Sequence, residues 1–286
     1  MIEYDTSLIG LCEYDSDTFK AFLRYAFNPQ GWVNAFIENS HHGLGHGESV
    51  REGAISLACQ LTDDERAELE QDGREIDDKD PIVAALAAVN IAAVLHDCGR
   101  MDVDGNMPME QQPRHHIVGA DRAEYFCNAL DSPDGLTYHV RAAVISHDYQ
   151  GVDNTPEMFP PTTMIGKLVQ AVDQLLWFNP ISVDRTMNFS RDLRRKFYDP
   201  DIPLEVRLSW GPGKGGEDAM TVLLCQYFGP TDSERFGVES ARKKAEDDQL
   251  ALYRRILEVT AEQGVDQKEI IRLFAAYSTA KKDSGK

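Results

Sequence analysis

Six side chains stand where a folded chain rarely leaves polar groups without a partner. The stretch "AVLHDCGRMD" sets His96 and Asp97 side by side at the end of an apolar run, and Asp173 interrupts the apolar "TMIGKLVQAVDQLLWF". A carboxylate or imidazole taken out of water is costly unless something holds it. His46 opens "HGESVREGA" at the end of a core-facing stripe, His116 opens "HIVGADRAEYF", and His147 closes "YHVRAAVISH". Any one of these histidines, taken alone, reads as an ordinary core or surface residue. Six such groups at helix ends point instead to a divalent cation. A mixed imidazole and carboxylate shell suits Mn, Fe, Co, Ni, Zn or, with fewer nitrogens, Mg.

Helices must deliver these groups. Residues 16–39 read as two short helices broken at "NPQG", and Gly47 to Leu61 carries Val50, Ala54, Leu57, Ala58 and Leu61 on one stripe. The charged segment Asp63–Asp80 holds a helix and a loop. "PIVAALAAVNIAAVLHD" starts with Pro81 at a first helical position and is apolar nearly all round, as a central helix is. Further helices are expected over His116–Leu130, Gly135–His147 and Pro161–Phe178. The texture then changes. "IPLEVRLSW" and "AMTVLLCQYFG", joined by "GPGKGGED", read as a β-hairpin over about 202–229. Helices follow at about 232–263 and 266–280. The expectation is a mainly α chain: a helical domain over 1–185 and an appendage over 186–286 containing the hairpin and two helices.

The ordered set resembles the HD-domain superfamily of metal-dependent phosphohydrolases. Its signature is a His, an adjacent His-Asp pair after an apolar helix, and a distant Asp; here these fall on His46, His96, Asp97 and Asp173. A subset adds two histidines between the pair and the last Asp, matched by His116 and His147. The resemblance covers roughly residues 40–180. It implies an HD-type helical bundle with one or two divalent ions. His46, His96 and Asp173 would bind the first ion, His116 and His147 the second, and Asp97, the catalytic centre, would bridge them. It also implies hydrolysis of a small phosphoester, a nucleotide above all, by metal-activated water attacking phosphorus. Many HD hydrolases carry lysine in "HD-x-x-K"; Arg100 stands there, fixed in charge and able to grip phosphate in a bidentate way. Arg114 and Lys167 are further candidates for phosphate contact, and Asp148 for a further ligand or a group orienting His147.

Rival readings bear on the same residues. His41 and His42 compete with His46, but the intervening "GLG" argues against a shared helical face, and His115 and His139 read as structural or substrate-side. A diiron oxygenase of HD type uses the same ligand pattern; the 26 residues from His147 to Asp173 favour the hydrolase branch. A non-catalytic, ligand-sensing HD domain is the third alternative. "GPGKGG" lacks the Lys-Ser/Thr ending and following helix of a phosphate loop. "RDLRRKF" reads as a solvated helix face, with a subunit contact or a guiding lip for an anion as the alternatives. Loops 101–115 and 149–160, with Gln150, Asp153 and Phe159, are expected to line the pocket.

Composition narrows the class. At 286 residues, 42% hydrophobic and 27% charged, the chain is globular in kind. Its 29 Lys+Arg against 48 Asp+Glu, net −19, argue against a nucleic-acid polymer as partner but not against a small phosphorylated substrate. Five scattered cysteines, never in C-x-x-C spacing, suggest a reduced, cytoplasmic setting. The acidic N-terminus does not read as a signal peptide, and no apolar run is expected to reach bilayer-spanning length, so no membrane partner is expected. Homo-oligomerisation is left open.

Overall fold

The computed structural model describes residues 7–27, 31–39, 42–102, 105–106, 114–149, 159–209, 218–228 and 236–283. Among them the chain is mainly helical, with 14 α-helices, one 3₁₀ turn and a pair of two-residue strands. It divides into two compact units. The first comprises residues 1–174 with 234–241, and the second 175–233 with 242–286.

The first unit is built round α6 (Pro81–Leu95). Pro81 occupies its first turn, where a missing N–H costs nothing. From Ala84 to Leu95 every residue except Leu86 is buried. Alanines dominate that surface, so neighbouring helices come close: α1 (Leu8–Glu13), α4 (Leu44–Ala58), α5 (Asp63–Arg74) and α8 (Asp134–Ser146) all pack on α6. α7 (His115–Ala129) packs on α8 and on the 3₁₀ turn Cys98–Arg100 that follows α6. The remaining helices of this unit are α2 (Ser16–Ala26), α3 (Gly31–Glu38) and most of α9 (Met164–Phe178). Strands β1 (Met101–Asp102) and β2 (Gly105–Asn106) pair antiparallel after the turn.

Two glycines set the approach distances that matter for the site. A Cβ on Gly47 would stand 2.4 Å from the Val94 carbonyl oxygen, so α4 meets α6 backbone to backbone one residue after His46. A Cβ on Gly99 would stand 1.9 Å from the His115 carbonyl oxygen, so the turn carrying Asp97 and Arg100 lies directly on the start of α7.

Pro81–Arg100 corrects one expectation, because this 20-residue stretch is long and apolar enough to cross a bilayer by composition alone. In the structure 83% of its most apolar window is buried inside the protein, as a core helix is.

The second unit contains α10 (Ile181–Asp192), α11 (Leu204–Leu208), α12 (Ala219–Phe228), most of α13 (Glu239–Glu262) and α14 (Gln267–Asp283). The expected β-hairpin is absent among the described residues: both of its arms are helical, and "GPGKGG" lies outside them. In α11, Leu204 and Leu208 pack against the core while Arg207, between them, is buried beside it. α12 is apolar on nearly every side because nearly every side is covered, a pattern that periodicity alone cannot separate from a buried strand. Asp218 decides its start. Its Oδ1 accepts the Thr221 N–H at 2.9 Å, an N-cap, and its two oxygens take the Arg207 guanidinium at 2.6 and 2.8 Å. Met220, Leu223, Leu224, Leu252, Ile256, Ile270 and Phe274 form the core of this unit.

Candidate metal centre

Two helices end in the same way. His96 is the C-cap of α6 and His147 the C-cap of α8. Each ring donates its Nδ1–H to the carbonyl three residues back, His96 to Ala93 at 2.7 Å and His147 to Val144 at 2.6 Å. That bond fixes ring orientation and tautomer, leaving Nε2 as the coordinating atom. Both rings are fully buried, and their centroids lie 5.0 Å apart.

Asp97 stands between them, and its two oxygens face different groups. Oδ2 lies 2.7 Å from His42 Nδ1, 3.6 Å from His96 Nε2 and 3.9 Å from His46 Nε2. Asp173, delivered by α9, closes this side: its Oδ1 is 3.1 Å from His46 Nε2 and 3.6 Å from His96 Nε2. Oδ1 of Asp97 lies 3.4 Å from His147 Nε2 and 3.5 Å from His115 Nε2, the two nitrogens being 3.1 Å apart. Arg100 Nε donates to the same Oδ1 at 2.6 Å.

These separations fit a shared cation. Ligands about 2.1 Å from a tetrahedral or octahedral ion lie roughly 3 to 3.4 Å from one another. His96 Nε2 is buried and forms no hydrogen bond, yet has carboxylate oxygens on two sides. Among the described residues, four groups bring His, Asp or Glu ligand atoms within 4.8 Å of one another: His42–His46–Asp97, His46–His96–Asp173, Asp97–His115–His147 and His115–His116–Asp148. The buried His and Asp groups are thus positioned to hold a metal ion.

Electrostatics among the protein groups follows the same geometry. Burial opposes charge on His96, but Asp97 and Asp173 overcome it and raise its pKa to about 9. Burial likewise disfavours charge on Asp97 and Asp173, yet both fall well below the carboxylate range. Arg100, His96 and His42 stabilise Asp97, while the hydrogen bond from His46 and the positive charge of nearby His96 stabilise Asp173. Burial dominates at His46 and lowers it, against the pull of Asp173. At Asp148 burial wins and raises the carboxyl, against Arg100 and His147.

The structure gathers His46, His96, Asp97, His147 and Asp173 at one point. His116 lies one step out, grouped with His115 and Asp148, its ring 6.4 Å from that of Phe159. Two residues read as bystanders belong to the centre. His115 faces Asp97, because α7 starts at His115 and its first turn turns both rings of "HH" inward. His42 reaches Asp97 from just before α4, where Asn39 Oδ1 accepts its backbone N–H at 2.8 Å. The "GLG" that argued against a shared helical face does not prevent this, since His42 needs no helix to point inward. The four-residue spacing to His46 was the available signal.

Of the cations expected to contact phosphate, Arg100 is at the centre and Arg114 is exposed, immediately before α7. Lys167 is engaged elsewhere, its ammonium 2.6 Å from Glu68. His139 pairs with Glu75 at 3.1 Å. His41, Gln150 and Asp153 lie outside the described residues.

No protein-family model matches the chain. No curated protein matches it either. Among solved structures, a crystal structure of a protein from Lactobacillus plantarum is similar to it, with a TM-score of 0.50 over 87% of this chain and 98% of that one. At 16% identity the likeness is one of fold.

Proposed function

We propose that this chain is an HD-type, dinuclear metal-dependent phosphohydrolase acting on a small phosphoester, with nucleotides as the substrate class that the HD resemblance brings. The observation that carries this reading is Asp97, whose two oxygens each face a separate histidine group. His46, His96 and Asp173 would hold one ion with Asp97 Oδ2, and His115 and His147 the other with Oδ1. His42 stands at the first group, and His116 and Asp148 border the second. Two divalent ions held there would draw the pKa of a shared water from about 15.7 towards about 7 and polarise phosphoryl oxygens.

The remaining work falls to the chain itself. The carbonyls of Ala93 and Val144 keep His96 and His147 in the coordinating tautomer. Arg100, planar and permanently charged, is suited to take a pair of phosphoryl oxygens and the charge that grows on them in the transition state. The surrounding burial excludes bulk water and so strengthens each of these interactions.

Elemental analysis of the purified protein, then a phosphate-release screen over nucleotides with Mn, Co, Ni, Zn or Mg added, tests the proposal. Turnover that depends on the metal and vanishes in Asp97→Ala is the expected result. Turnover unchanged in Asp97→Ala overturns it. Oxygen consumption by the iron-loaded protein, without phosphate release, moves the assignment to an oxygenase.

A further inference from the structure

We infer, resting on the two-ion hydrolase proposed above, that Arg100 holds the second ion's place on Asp97 and gives it up only when a phosphoryl group arrives. Arg100 Nε lies 2.6 Å from Asp97 Oδ1, nearer than His147 at 3.4 Å or His115 at 3.5 Å to the same oxygen. The pair is built into one turn. The backbone N–H of Arg100 donates to the Asp97 carbonyl at 2.9 Å, and residues three apart in a 3₁₀ turn stand one above the other.

The two ligand groups are therefore unequal. The first combines two carboxylates, Asp97 and Asp173, with His46 and His96. The second shares its Asp97 oxygen with a guanidinium. Asp97 is almost wholly buried and the Arg100 side chain is only 22% exposed, so water screens that positive charge poorly. A lysine could shed its proton to admit a dication, but arginine cannot. It has to move. The group that best receives a displaced guanidinium is a phosphoryl oxygen pair, which it binds in a fork. Linkage then makes the coupling mutual: phosphate tightens the second ion, and the second ion tightens phosphate by the same factor.

Titration of the full chain with Mn(II), followed by calorimetry and by the electron-spin coupling of paired Mn ions, reads this out without turnover. In the wild type one ion is expected to bind tightly and the second at least tenfold more weakly. Inorganic phosphate is expected to tighten the second at least tenfold and bring up the coupled-pair signal. Arg100→Gln is expected to bind two ions without phosphate, and adding His115→Ala to it to return the count to one. Arg100→Lys, whose ammonium can shed its proton, is expected to admit the second ion without phosphate as the pH rises, whereas the wild type is expected to need phosphate at every pH. Two ions of equal affinity in phosphate-free wild type, unchanged in Arg100→Gln, overturn the inference and leave the hydrolase standing. So does a single ion in Arg100→Gln. Failure of the wild type to bind any Mn(II) overturns both.

Discussion

The proton on His96 is the charge that a metal bound at the proposed centre would replace. Its pKa of about 9 lies above the ordinary value of about 6.5, so the metal-free protein gains stability from it that is complete below pH 6.5. That stability is lost as the pH rises through 9. Asp97 and Asp173 work in the opposite sense: their depressed pKa values add stability above the ordinary carboxylate range, which is lost as the pH falls below it. Thermal unfolding of chelated protein is therefore expected to show a midpoint that declines towards pH 9 as well as towards acid. Metal addition is expected to abolish the alkaline decline, since the ion takes over the proton's role. The same competition makes affinity rise by up to about tenfold per pH unit between 7 and 9, measurable by calorimetry in buffers of different ionisation heat. A pH-independent affinity would show that His96 is not a ligand.

Helix ends, more than helix faces, build this centre, and that explains what could be read in advance. α6 and α8 were legible because their apolar stripes stop at a histidine, and α4 because its stripe begins beside one. His115 and His42 were hidden because each lies at or before a helix start, where a one-residue error in the boundary decides which side chain faces inward. The hairpin arms misled for another reason: α11 has only five residues, too few for period 2 and period 3.6 to differ, and α12 is covered on nearly all sides. Close approach between elements is testable at Gly47. Gly47→Ala puts a methyl 2.4 Å from the Val94 carbonyl oxygen, so α4 must retreat. A loss of roughly 1–3 kcal/mol in denaturant unfolding is expected, together with weaker metal binding as His46 withdraws from His96. Arg122 of α7 provides a second test. It donates to the Cys98 and Met101 carbonyls at 2.5 and 2.8 Å and stacks on Trp32 of α3 at 4.1 Å, pinning the turn that carries Asp97 and Arg100. Arg122→Met removes both of these bonds and the stacking cation. It is expected to cost about 1–3 kcal/mol and to loosen ion binding, whereas Arg122→Lys is expected to recover part of both.

At the scale of the whole molecule, a chain of net charge −19 repels the anion that it is proposed to hydrolyse. Salt screens that repulsion over a Debye length of about 10 Å at 0.1 M. Raising sodium chloride from about 0.01 M to 0.1 M is thus expected to lower KM for a phosphoester while leaving kcat nearly constant; a rising KM would show that local cations steer the substrate instead. The termination of α6 and α8 at His96 and His147 sharpens the point. Each helix dipole brings about half a negative charge to its C-terminal end, and here two such ends converge. The interior is thus polarised to welcome cations and to turn esters away, which imposes an order of addition: the first ion enters and reverses the local sign, and only then can a phosphorylated molecule settle, with the second ion following it.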